Sequence, residues 1–235
     1  LDPVQTRLVE HYYDGLVRAG AQLNDADKAS LRKLNVEETT LSTQFHTRLV
    51  AATAAAAVVV DDKAKLAGLS EDAIATAAAD ATARKLEGKF LLPLQNTTQQ
   101  PVLASLSNRE QRAAVLEASE TRAQRGDAND TQQTVQRLAQ LRAQKAKLLG
   151  FATYADYNLG DQMAKTPAAA LKLLTDTVPA ATAKARAEAA EMQKVIDAQA
   201  AQGGEKFPLA ASDWDFYAEQ VRKAKYDLDE SQIKP

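Results

Sequence analysis

The chain has 235 residues, a formal net charge of −2 and no cysteine. That length supports one large or two small domains with a substantial core. A charge so near neutral gives no electrostatic footprint for nucleic acid, and the lack of cysteine excludes disulfides and thiolate zinc sites. Ala, Gln, Glu, Lys, Arg and Leu dominate, all strong helix formers, while aromatics are 5%. The prior is a mostly α chain.

The first predicted helix runs from Val4 to Ala19, with Leu8, Val9, Tyr12 and Leu16 near helical spacing and Gly20 as its stop. Asn24 and Asp25 offer caps for a long second helix, with Asp27 in its first turn. Leu31, Leu34, Leu41, Phe45 and Leu49 follow a three-four rhythm there, and Glu38 stands where the rhythm calls for an apolar residue. The Ala51–Ala57 run extends it into one arm of a helical hairpin. Ala51–Val60 is also the longest uncharged stretch. It is short of the roughly 20 residues that span a membrane, so no membrane partner is expected.

Val58–Val60 reads as a short strand ended by Asp61 and Asp62, and Lys89–Leu94 as a second. Together they predict a small ribbon at about 58–61 and 89–94, since a lone exposed strand is a liability. Between them Ser70 caps a helix to about Glu87, with Glu71 and Asp72 at its positive end and Gly88 as its stop. Thr97–Pro101 reads as polar and turn-like. Ser107 and Glu110 form a capping box before a helix carrying Val115 and Leu116, and Gly126-Asp127 marks a loop.

Asp130 is the expected cap of the next helix, whose buried stripe is Val135, Leu138, Leu141 and Leu148 and whose end is Gly150. A short helix around Tyr154 follows. Thr166-Pro167 then starts a long helix to about Gln202, closed by Gly203-Gly204. Trp214–Tyr226 is the last helix. The fold expected is a multi-helix bundle of long antiparallel helices over residues 1–235, with a subdivision into 1–125 and 126–235.

A search for chemistry returns little. His11 and His46 are on different predicted helices, and neither has a Glu or His at i+4, so zinc ligation has no local support. No GxSxG elbow or phosphate loop occurs, and serines such as Ser70 and Ser107 sit at cap positions. The acids Asp61-Asp62, Glu71-Asp72, Asp127 with Asp130, and Asp227, Asp229 and Glu230 read as dipole or turn residues, because neighbouring acids on a helix do not face one another. Arg137, Arg142, Lys145 and Lys147 read as a solvated or salt-bridged face. Trp214, Phe216 and Tyr217 read as an anchor of the last helix in the core, or else as a surface that packs against a missing domain. No catalytic residue, substrate-binding residue or metal ligand is assigned.

A series of short motifs adds to this reading: Gly20-Ala21-Gln22-Leu23, Leu66–Glu71, Leu92–Pro101, Asp127–Thr131, Leu141–Ala143 with Leu148–Phe151, Met163–Pro167, Trp214–Gln220 and Tyr226–Asp229. In this order they resemble the bacterial peptidyl-dipeptidases (dipeptidyl carboxypeptidases) of the thimet-oligopeptidase-like zinc metallopeptidases. The Asn96–Pro101 segment favours that branch over the related oligopeptidases. The resemblance implies a mostly helical enzyme with two halves flanking a deep channel, and oligopeptide substrates that lose carboxyl-terminal dipeptides. It also implies a zinc held by two His and a Glu, with the Glu of an HExxH helix deprotonating the bound water.

No HExxH stands in this chain. The chain is therefore expected to be an internal, N-terminal-side piece of a larger parent: the non-catalytic wall opposite the zinc, inactive alone, with the missing C-terminal catalytic part as its partner. Its start at Leu1 without Met and its end at Pro235 are read as cuts. No signal-peptide pattern is seen in this piece, and the expected compartment is the cytoplasm, with the periplasm as the other option. The rival reading is a stand-alone helical scaffold without enzymatic activity.

Overall fold

The computed structural model describes residues 1–226. The acids Asp227, Asp229 and Glu230, and all but the first residue of the motif at 226–229, lie outside the described residues. Within them the chain is mostly α, with one small antiparallel ribbon. The elements are α1 (Pro3–Arg18), α2 (Asp25–Ala55), β1 (Val58–Val60), α3 (Glu71–Ala83), β2 (Phe90–Leu92), α4 (Asn96–Ser105), α5 (Arg109–Thr121), α6 (Gln132–Leu148), α7 (Tyr154–Leu159), α8 (Pro167–Ala201) and α9 (Trp214–Tyr226). Single 3-10 turns lie at Lys63–Leu66 and Ala211–Asp213.

Two compact units are built from discontinuous segments. The first joins Leu1–Arg48 with Thr131–Val178. The second joins Leu49–Asp130 with the described residues from Pro179 on. Both α2 and α8 therefore contribute to each unit.

In the first unit, Asp2 caps α1 in a reciprocal box with Gln5, and Pro3 fills the first helical position. Asn24 caps α2 by accepting from the Asp27 amide. Two of the four residues expected in the stripe of α6 are buried, Leu138 and Leu141, joined by Thr134 and Ala146. Val135 is exposed instead, and Leu148 is only half-buried. The start of α6 also differs from expectation. Thr131 takes the cap position, and the Asp130 carboxylate turns back to accept from the Gly126 amide, tying the loop before the helix. Thr166 does cap α8, accepting from the Ala169 amide.

The second unit holds both clusters of buried apolar side chains found among the described residues. One gathers Val60, Leu66, Leu92, Leu94, Leu106 and Val115 around the ribbon, α3, α4 and α5. The other gathers Met192, Ile196 and Tyr217 between α8 and α9, with Phe207, Trp214 and Phe216 packed against it. The aromatic anchor expected of the last helix is thus in place. In the ribbon Val58, Val59 and Val60 pair with Leu92, Leu91 and Phe90. It is shorter than expected at both ends. Asp61 leaves the ladder to meet Lys65, and Pro93 has no N–H to donate to it.

Three further expectations change here. Thr97–Pro101 is not a turn but part of α4. Its burial of Leu103 and of Leu106 just beyond its end outweighs the one ladder hydrogen bond that Pro101 cannot make. The cap of α5 is Asn108, which accepts from the Gln111 amide, not Ser107. Ser107 is held elsewhere, its amide donating to Ala67 O and its carbonyl accepting from Arg112. Finally, α3 ends at Ala83 rather than near Glu87. Lys85 adopts φ +60, and the Lys85 and Leu86 amides return to Thr82 O and Ala81 O, a Schellman end made without glycine.

Candidate functional site

A hydrolytic metal centre needs converging donors. Both histidines have exposed side chains on separate helices, His11 on α1 edge-on to Tyr12 and His46 on α2 edge-on to Phe45. No group of three or more His, Cys, Asp or Glu side chains that could hold a metal ion occurs among the described residues. The described residues do not fit zinc. No helix among the described residues is long and apolar enough to cross a membrane.

Several of the described acids singled out in the sequence have local partners. Asp61 pairs with Lys65, and Glu71 with Lys63. Asp62 caps the turn at Lys63–Leu66, and Asp127 accepts from the Asn129 amide. The basic row of α6 is a salt-bridged face, as expected. Arg137 grips Glu37 through Nε at 2.6 Å and Nη2 at 2.9 Å. Arg142 and Lys145 both reach Glu38, each at 3.1 Å. Glu38 is the acid that broke the apolar rhythm of α2. Burial works to raise its carboxyl, but hydrogen bonds from Lys145 and Arg142 outweigh that and hold it below the usual range.

The most strongly built polar cluster lies in the second unit and was not anticipated. Asp213, fully buried in the turn before α9, receives Arg112 Nη2 at 2.8 Å and Arg109 Nη2 at 3.0 Å. Arg109 Nε and the Ala210 amide also donate to it. Arg112, itself 1% exposed, further donates to the Leu106 and Ser107 carbonyls. The two guanidinium groups lie over aromatic rings, Arg109 over Phe207 at 3.9 Å and Arg112 over Phe216 at 4.3 Å. Burial pushes the Asp213 carboxyl up, yet the hydrogen bonds of Arg109 and Arg112 hold it below its ordinary range. Tyr217 beside it is raised, chiefly by burial.

A carboxylate so engaged is a poor general base, because both oxygens already accept several donors and its proton affinity is low. Its effect is to clamp the 211–213 turn to the start of α5. One signal for it stood in the sequence. Two arginines in the first turns of a helix oppose the helix dipole, so they call for an acidic partner. Which acid serves is a long-range fact that spacing does not carry.

Surface clefts are shallow and of mixed character. The groove between α8 and α9 has a volume of about 260 Å3, with Met192, Trp214 and Val221 along it and Lys184, Glu191 and Arg222 at its rim. A polar cleft of about 410 Å3 in the first unit is lined by Arg7, His11, Asp14 and Arg18 of α1, together with Gly160, Asp161 and Lys165. There Arg18 donates to the Tyr157 carbonyl and stacks near Phe151 and Tyr157. Neither cleft aligns a nucleophile with a base.

Among the motifs that carried the sequence resemblance, Leu66–Glu71 is a packing and capping device. In Leu66–Glu71, Leu66 is fully buried and Ser70 caps α3. Gly68 has φ +95, and a Cβ there would collide with the Ser105 carbonyl oxygen and Ser107 Oγ. Only glycine fits that approach.

Comparison with known proteins agrees with the motif series. Residues 102–235 match the profile of peptidase family M3. The chain is 52% identical over 235 residues to a dipeptidyl carboxypeptidase of Escherichia coli (strain K12), covering 100% of this chain and 34% of that protein. It is 50% identical, with the same coverage, to a dipeptidyl carboxypeptidase of Salmonella typhimurium. An oligopeptidase A of Escherichia coli is 28% identical over 241 residues, again 100% of this chain and 34% of that protein. The chain thus spans about a third of the length of the curated relatives it matches. With more than half of its residues matching the profile, the chain belongs to peptidase family M3.

Proposed function

We propose that this chain is the helical, non-catalytic part of a peptidyl-dipeptidase, a zinc peptidase that releases dipeptides from the carboxyl end of oligopeptides. One observation carries the reading: 52% identity along the whole chain to a dipeptidyl carboxypeptidase, against 28% to an oligopeptidase A over the same span. That gap favours the dipeptidase branch. Zinc ligation and peptide hydrolysis are assigned to parts of the parent beyond the aligned third, and this chain to the channel wall opposite them.

The chemistry of the described residues suits that role. Their strongest ionic groups are paired into packing contacts, which leaves rigid helical surfaces rather than a reacting group. The compartment proposed is the cytoplasm, with the periplasm as the other option; the cysteine-free sequence suits both.

The test is a segment exchange. The purified chain, incubated with oligopeptides, is expected to release no dipeptide and to hold no stoichiometric zinc by elemental analysis. The Escherichia coli relative carrying this chain in place of its aligned third is expected to release dipeptides from peptides with a free carboxyl end and to spare amidated ones. Cleavage by the chain alone, or a folded chimera without activity, would overturn the proposal.

A further inference from the structure

Helix α1 is turned the wrong way for a helix that completes its own core. It is amphipathic, with Val4, Leu8, Tyr12 and Leu16 in an unbroken i, i+4 row flanked by Val9 and Tyr13, yet none of its residues is buried. Those six side chains are between 55% and 78% exposed. Its polar side, Arg7, His11, Asp14 and Arg18, is the side that lines the cleft shared with Gly160, Asp161 and Lys165. Arg18 is bound there to the Tyr157 carbonyl and to Asp161 at 3.6 Å. The first half of α8, in the same unit, shows a second stripe at i, i+3 and i+7, Leu171, Leu174 and Val178, all exposed. Meanwhile both buried apolar clusters belong to the second unit. A contiguous apolar row of this size signals an interface.

We infer that the Val4–Leu16 row of α1 is the seat of another segment of the same polypeptide, one that presents an apolar helix face and lies outside these 235 residues. The inference rests on the family reading. The occupant follows from length: relatives that align with every residue of this chain are covered to only 34%, so about two thirds of such a polypeptide remains to cover the row. The spacing of Val4, Leu8, Tyr12 and Leu16 forms the i±4 ridge that packs into the grooves of a partner helix.

The double substitution Leu8→Asp with Leu16→Asp separates the occupants, read in two settings. In the isolated chain it is expected to leave the melting temperature and the sedimentation coefficient unchanged, because nothing covers the row. In the exchanged Escherichia coli relative it is expected to lower the melting temperature by several degrees and to speed proteolysis, while Asp14→Asn on the polar side of α1 does neither. A chimera as stable as its parent after the double substitution overturns the inference and leaves the family reading intact. A chain that sediments as a dimer and becomes monomeric on substitution also overturns it, since a second copy then fills the row. A folded unsubstituted chimera that fails to cleave peptides would remove the proposed function, and the inference with it.

Discussion

Asp213 and Arg112 carry the largest single-residue consequences in the described chain. Breaking a buried ion pair from one side strands the other charge, and the usual loss is about 3 kcal/mol. Asp213→Asn is expected to cost about that much at neutral pH, read as a shift in the urea midpoint at constant slope. The pH dependence has a definite sign. The folded carboxyl is held below its unfolded value by Arg109 and Arg112 against the opposing effect of burial. Its stabilisation is therefore complete above the unfolded pKa, roughly 4, and is lost as pH falls through the depressed folded value. The gap between the variant and the native chain should be constant from pH 7 down to about 5 and narrow below about 4. A gap that is constant into acid would mean that Asp213 serves by shape rather than charge. At this scale sequence reading was weakest. Arg109, Arg112 and Asp213 were not singled out, because their partnership links positions 101 and 104 residues apart. Caps fared better where no tertiary contact claimed the capping side chain, as at Asn24, Ser70 and Thr166. They failed where Ser107 and Asn108 competed and the tertiary contacts of Ser107 decided the matter.

Elements of regular structure were legible because their signals are local. The 3.6-residue rhythm found α2 and α6, Thr166-Pro167 and Gly203-Gly204 bracketed α8, and the Val58–Val60 run, with the apolar Lys89–Leu94 run as its partner, found the ribbon. The misplacements have identifiable causes. Gly88 drew the expected end of α3 past Lys85, whose left-handed backbone had no glycine to announce it. Pro101 disguised α4 as a turn. Glu38 looked like a defect in the rhythm of α2, and the structure turns it into a contact, since one carboxylate holds two cations of α6. A test distinguishes the two rungs between α2 and α6. Glu38 is mostly shielded and shared between Arg142 and Lys145, so Glu38→Gln is expected to cost about 1 kcal/mol and to keep most of that cost in 1 M salt. Glu37 is 42% exposed and has Arg137 alone, so Glu37→Gln is expected to give no change at high salt. Urea melts of both variants at low and high ionic strength check this. Equal salt sensitivity would mean that burial of Glu38 adds nothing to its pairing.

Across the whole molecule the two units differ in what holds them. The second carries the ribbon cluster, the aromatic cluster of α9 and the Asp213 clamp. The first has Leu31, Leu138, Leu141 and Ala146 as its buried apolar residues, with Thr131 and Thr134 beside them. It leans on ion pairs, the exposed Arg137–Glu37 and the more shielded Lys145–Glu38. Exposed pairs return little stability, commonly under about 1 kcal/mol each, whereas a buried leucine contributes about 2–5 kcal/mol by truncation. Local stability should follow that difference. In native-state hydrogen exchange of the isolated chain, amides of α5 and of the ribbon are expected to exchange slowest, near the rate set by global unfolding. Those of α1 and of the first half of α8 should exchange orders of magnitude faster by local opening. Uniform slow exchange across both units would show that the apolar rows of α1 and α8 are already covered in the isolated chain. The contrast also explains why the family was readable before the mechanism. The motifs of the sequence resemblance that fall within the second unit, Leu66–Glu71, Leu92–Pro101 and Trp214–Gln220, contribute core, cap and close-approach residues to this better-packed unit, among them Leu66, Gly68, Ser70, Leu92, Leu94 and Tyr217. They record how the chain folds, and in a chain that spans about a third of its relatives' length that is the part of the inheritance its sequence can display.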